Sequence, residues 1–383
     1  MKDYQRLKIY IFMTPTRKSR IIIKPISSRL IDLPAPINIS LWWNYGSLLG
    51  IFIFIQIRTG IILSIQYCPN RELAFISIIH ITRNINIGWI INRIHANGAS
   101  LLILLIYIHI ARRIYYGSFH TKKVWITGVT MFILTIIRAF IGYVLPWGQI
   151  SFWAATVITN IFSAIPYIGT IIVQWLWGGF AVSNPTLNRF FIIHFIIPII
   201  IILITIIHLI FLHEIGSNNP LGINSNSNRI SFHLYFSVKD IIGFRLYISL
   251  FIIIVLFFPN ISKDPENFIT ANPLITPTHI QPEWYFLWLY AILRSIPNKL
   301  GGVIALISAI IIIYLPSTIT TIKKKSSRFS YKKKLIFRIL ILSWSILRWI
   351  GKCPVEWPFI QIGQIFTILF FIFFIIIPTI NKE

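Results

Sequence analysis

The stretch HANGASLLILLIYIH (95–109) opens and closes on histidine, and HFIIPIIIILITIIH (194–208) repeats that pattern further along the chain. Fourteen residues climb about 21 Å along an α-helix in roughly four turns, so each histidine pair shares one helix face. Two such helices side by side offer two imidazole clamps stacked across an apolar layer. A single intramembrane histidine is more often a polar group hydrogen-bonded inside a bundle. Four at a duplicated interval reverse that preference and read as axial ligands for two haems.

Glycines carry the same interval. Gly46 and Gly60 lie fourteen apart on one apolar run, and Gly128 and Gly142 fourteen apart on another. Without a Cβ, a helix approaches a flat macrocycle closely, as small residues allow helices to approach one another in membranes. Ordinary helix–helix packing is the competing reading, and the shared interval on four helices favours haem contact.

Composition sets the class. The chain of 383 residues is 56% hydrophobic and 12% charged, and apolar runs of about 18 or more residues are expected to span a bilayer. Eight spans are predicted: 45–66, 88–111, 124–145, 190–212, 240–258, 300–320, 335–351 and 359–379. The expected fold is an all-α polytopic membrane protein, its first four spans bundled around two haems. It divides into an N-terminal segment (1–44, with 1–12 an extension ahead of Met13), a haem-binding bundle (45–216) and a C-terminal membrane region (217–383). The stretch 147–184 is apolar but broken by Pro146, Asn160, Pro166, Gly169, Gln174, Gly178 and Gly179, which reads as short interfacial helices.

The net charge of +25 does not point to nucleic acid. With eight crossings, the side holding both termini carries 22 Lys/Arg and the opposite loops carry 6. That is the positive-inside pattern, and the basic face also suits anionic membrane lipid. Two cysteines, Cys68 and Cys353, without CxxCH support neither a disulfide framework nor covalent haem attachment. One span separates the two His-bearing helices, so they run in the same direction. His95 then lies level with His194 and His109 with His208, one pair towards each face of a core about 30 Å thick.

The segments LWWNYGSLLG (41–50), HANGAS (95–100), GYVLPWGQISFW (142–153), SAIPYIGT (163–170), HLIFLHEIGSNNP (208–220), PEWYFLW (282–288) and YAILRSIPNKLGG (290–302) resemble the cytochrome b family in its mitochondrial form, the membrane core of ubiquinol–cytochrome c reductase. The resemblance runs from about Met13 to the C-terminus. It implies a low-potential haem b on His95 and His194 near the intermembrane space, and a high-potential haem b on His109 and His208 near the matrix. It also implies ubiquinol and ubiquinone as substrates and a multi-pass protein of the mitochondrial inner membrane with both termini in the matrix. The implied partners are the Rieske iron–sulfur protein, cytochrome c1, other complex III subunits and a second copy in a homodimeric core.

For the outer quinone site the resemblance implies Pro282 and Glu283 on a proline-rich loop, with Tyr285, Tyr143, Phe140 and Tyr290 lining the pocket. A partly buried carboxylate such as Glu283 can be tuned to accept a quinol proton. For the inner site His213 and Asp240 are the candidate proton donors, with Ser217, Asn44, Ser47 and Lys239 in support. Arg112 and Arg189 match propionate-binding arginines. A transporter would not need the matched His and Gly intervals, and a di-haem anchor of another quinone-linked oxidoreductase would lack the Pro-Glu-Trp-Tyr loop.

Four positions depart from the family pattern. Asn92, with Arg93 beside it, stands where an arginine is usual three residues before the first ligand. Arg58 and Arg138 fall within spans, where a central arginine costs roughly 2.5–3.5 kcal/mol on insertion scales. Arg58 should point about 200° away from Gly60, whereas Arg138 lies only about 40° off the Gly142 face, where it either projects between the haems or snorkels or pairs elsewhere. Ala154 replaces a usual glycine, and in this family that exchange implies resistance to strobilurin-type inhibitors.

Overall fold

A computed structural model describes residues 27–29, 31–318 and 326–380. The expected extension over 1–12 and the basic residues Lys323, Lys324 and Lys325 lie outside the described residues. Twelve α-helices are found among the described residues: α1 Tyr45–Gln66, α2 Ala74–Arg83, α3 Gly88–Tyr115, α4 Lys122–Val144, α5 Gln149–Asn160, α6 Gly169–Trp177, α7 Asn184–Ile215, α8 Tyr235–Phe257, α9 Leu287–Ser295, α10 Lys299–Ile311, α11 Tyr331–Ile350 and α12 Phe359–Ile380. A two-stranded antiparallel ribbon pairs β1 (Pro34–Pro36) with β2 (Arg229–Ser231) and ties the segment before α1 to the loop before α8.

Seven helical segments are long and apolar enough to cross a membrane: Leu41–Gln66, Gly88–Tyr115, Lys122–Val144, Asn184–Ile215, Tyr235–Phe257, Lys299–Thr318 and Phe359–Ile377. The eighth predicted span forms as α11 but falls outside that set. Lys332, Lys333, Lys334, Arg338 and Arg348 punctuate it, and it is amphipathic where α7 is apolar nearly all round. The interrupted stretch 147–184 folds as the short helices α5 and α6, with Gly178 at φ +74° ending α6, so it forms no span.

Local signals set the helix ends. At α7, Ser183 and Thr186 form a capping box and Pro185 occupies the first turn, where its missing N–H costs nothing. Gly216, at φ +83°, follows its last residue. At α10 the Asn298 side chain accepts the Gly301 N–H at 2.9 Å.

α1 lies against α3, and α4 against α7, forming the bundle of the first four spans. A second core joins α9, α10, α11 and α12 around Trp288, Ile292, Ala309, Leu347 and Phe370. It reaches the first bundle through Phe132 and Tyr107, whose hydroxyl donates to the Tyr285 carbonyl at 2.7 Å and accepts the Trp288 indole N–H at 2.9 Å.

Candidate functional site

Each glycine of the fourteen-residue sets faces one histidine of the neighbouring antiparallel helix. A Cβ built on Gly46 would lie 3.6 Å from the His109 ring, one on Gly60 3.0 Å from His95, and one on Gly128 3.3 Å from His208. At Gly142 it would collide with the His194 ring. The glycines therefore mark the places where the helix walls come closest to the imidazoles.

The two helix pairs bring histidines together across the bundle. The His95 and His194 rings are centred 6.3 Å apart at an interplanar angle of 75°. His109 lies within electrostatic reach of His208. Same-direction running of α3 and α7, expected from parity, accounts for this levelling.

Hydrogen bonds orient the rings. Thr59 Oγ1 donates to the Ile55 carbonyl at 2.7 Å and is left to accept the His95 Nδ1–H at 3.0 Å. Thr127 Oγ1 does the same between the Lys123 carbonyl (2.9 Å) and His208 Nδ1 (2.9 Å). His194 Nδ1–H donates to the Arg138 carbonyl at 3.0 Å. With Nδ1 as donor, Nε2 of these three rings keeps its lone pair for a metal. His109 Nδ1 is buried without a hydrogen-bond partner. Thr59 and Thr127 were not singled out from sequence, although each directly precedes a marked glycine and so had a legible signal.

A cluster around Glu283 gathers distant segments. Glu283 lies beside the Tyr143 hydroxyl at the end of α4. Burial first, and then the nearby Asp264, push the Glu283 carboxyl up to about 7, while Lys263, the Trp284 backbone and Tyr143 pull in the other direction. Burial and Arg93 hold the Lys263 ammonium below its ordinary value. Tyr285 is buried, Phe140 and Tyr290 are half-buried, and the Arg294 guanidinium lies 5.0 Å from the Tyr290 ring centre. The loop is pinned to α5: Gly148 bridges to Thr270, and Asn267 Oδ1 accepts the Ser151 N–H at 3.0 Å. Ala154 is buried on α5.

At the N-terminal end of α1, Asp240 lies beside Ser47, whose hydroxyl donates to the Asn44 carbonyl at 2.9 Å. Asn44 Nδ2 donates to the Lys239 carbonyl at 2.9 Å, and Lys239 Nζ to the Ile39 carbonyl at 3.0 Å. These bonds fasten α1 to α8. His213, half-buried near the end of α7, faces Arg29, and Ser217 follows just beyond the helix.

Residues 30–216 match the family described as cytochrome b/b6/petB, and residues 270–371 match its C-terminal cytochrome b/b6/petD companion. A solved chain described as hyperthermophilic respiratory Complex III is 32% identical. The match covers 95% of this chain and 97% of that one, with a TM-score of 0.89. The chain belongs to the cytochrome b family.

Membership implies haem b, and the residues present fit that group. The 6.3 Å between the His95 and His194 ring centres leaves room for a metal at about 2 Å from a nitrogen of each ring. The four glycines leave the ring edges uncrowded. Near the other pair, Arg112 has a buried Nε without a partner, as expected of a cation facing a group of opposite charge. Arg189 instead donates to the Trp175 and Leu176 carbonyls at the end of α6. Arg113, missed in the sequence reading, is 7% exposed and donates to the Ser118 carbonyl and the Thr121 hydroxyl. Its signal was the doubled arginine three and four residues after His109. Arg58 is exposed, as its angle predicted, whereas Arg138 is buried.

Proposed function

We propose that this cytochrome b is the haem-bearing core subunit of a bc1-type ubiquinol–cytochrome c reductase in the mitochondrial inner membrane, with both termini in the matrix. The observation that carries this reading is the His95–His194 contact, set beside four glycines that each face a ligand histidine. When bound, two haems b, one on His95 and His194 and one on His109 and His208, supply one-electron transfer across the membrane. The chain's own residues supply the proton chemistry at either end.

At the outer site a quinol loses two electrons and two protons. Glu283 is placed and tuned to accept one proton, and the Tyr143 hydroxyl lies beside its carboxylate. Pro282, Tyr285, Phe140 and Tyr290 shape the pocket. One electron leaves for a Rieske iron–sulfur partner and onward to cytochrome c1, the other for the inner site. There His213 and Asp240 deliver protons to a quinone, with Ser47, Asn44, Lys239 and Ser217 holding the wall. Release on one face and uptake on the other translocate protons. The working assembly is a homodimer with further complex III subunits.

The reading is tested by a dithionite-reduced minus oxidised spectrum combined with protein quantitation. Two b haems per chain are expected; one, or none, overturns it. An inhibitor titration of quinol oxidation makes a further test at Ala154. A strobilurin-type compound is expected to act at least about tenfold more weakly than on an Ala154→Gly variant, the scale of about 1.4 kcal/mol. Equal sensitivity of the two chains would remove Ala154 from the pocket wall.

A further inference from the structure

Arg138 lies in the interior of α4, one turn before Gly142, and is 6% exposed. Its carbonyl takes the Nδ1–H of His194, and its guanidinium is within electrostatic reach of both His194 and His95. The other histidine pair is served by different cations: Arg112 and Arg113 reach His109, and Arg113 reaches His208. Among the described residues, no carboxylate lies within ion-pairing distance of Arg138. An ionisable residue inside a span calls for a partner or a task, and this charge acts on the two imidazoles of one histidine pair.

We propose that Arg138 is a redox-tuning residue for the His95–His194 pair, its fixed positive charge raising the midpoint potential of the haem held there. The proposal rests on reading that pair as haem ligands. Reduction adds one electron and lowers the charge between the two rings by one, with no bond made or broken. A neighbouring cation favours the more negative state, and a low local dielectric strengthens the effect. A guanidinium stays charged across the working pH range, so the bias is permanent rather than switched. Through its carbonyl the same residue also fixes the orientation of His194, which places both influences on one ligand.

The test is a potentiometric titration of both haems in the assembled, membrane-embedded complex. Arg138→Met is expected to weaken reduction of one component by about tenfold, equivalent to about 59 mV for one electron, and to leave the other in place. Arg138→Lys should hold the parent value. Thr59→Val, which removes the hydroxyl beside His95 Nδ1, identifies the component by perturbing the same spectrum. Unmoved midpoints in Arg138→Met, or a shift confined to the other component, overturn the proposal. So does haem loss from both Arg138→Met and Arg138→Thr with Arg138→Lys intact, because the guanidinium is then a structural group. A parent protein without b-type absorbance would defeat the ligand reading itself, which separates the two failures.

Discussion

A His194→Leu chain is expected to carry one haem where the parent carries two, and to lose quinol oxidation. The His194 ring faces His95 at 6.3 Å and is oriented by the Arg138 carbonyl, so its removal leaves that clamp with one jaw. Leucine is a strong helix former and suits an apolar span, so α7 itself should persist. The remaining haem should keep the midpoint of the His109–His208 component. Gly142→Val reaches the same end by another route, since a side chain there collides with the His194 ring. Haem-to-protein stoichiometry and the reduced spectrum of each variant decide the matter. Two haems retained in His194→Leu would remove His194 from the ligand set.

The bundle was legible because two periodicities coincide in this chain. All-round apolar helices declare spans whatever their partners, and a fourteen-residue interval places His and Gly on one face without any tertiary information. Helix α11 was harder to read, because its lysines and arginines share a helix with a packed apolar stripe through Leu340, Leu347 and Ile350. The ribbon between Pro34–Pro36 and Arg229–Ser231 had no local signature, since strands of three residues carry too little pattern to recognise. The second layer around the four histidines divides in the same way. Thr59 and Thr127 stood beside marked glycines and could have been read, whereas the role of the Arg138 carbonyl required the crossing of α4 and α7. Glu283 and Tyr143 meet across 140 positions of sequence, and only the family resemblance, not spacing, brought them together in advance.

That meeting sets the second large expectation. Glu283→Gln should lower quinol oxidation by roughly 10²–10⁴-fold, the range removed when a positioned proton acceptor is lost. The haem content should stay at two, because the side chain lies outside both ligand pairs. The sign of the pH dependence follows from the carboxyl's position near 7, raised chiefly by burial and then by Asp264. Below that pH the group already holds a proton and cannot accept another, so the parent rate should rise with pH through about 7 and then level. Glutamine has no such transition, and its residual rate should be flat across the same window. Glu283→Asp keeps the acid but retracts it from the Tyr143 hydroxyl, so a reduced rate with an inflection is expected. Initial rates of quinol-dependent cytochrome c reduction between pH 5.5 and 8.5, on the assembled complex, separate these outcomes. A Glu283→Gln rate within twofold of the parent, with the inflection intact, would assign the titrating group to another residue of the cluster.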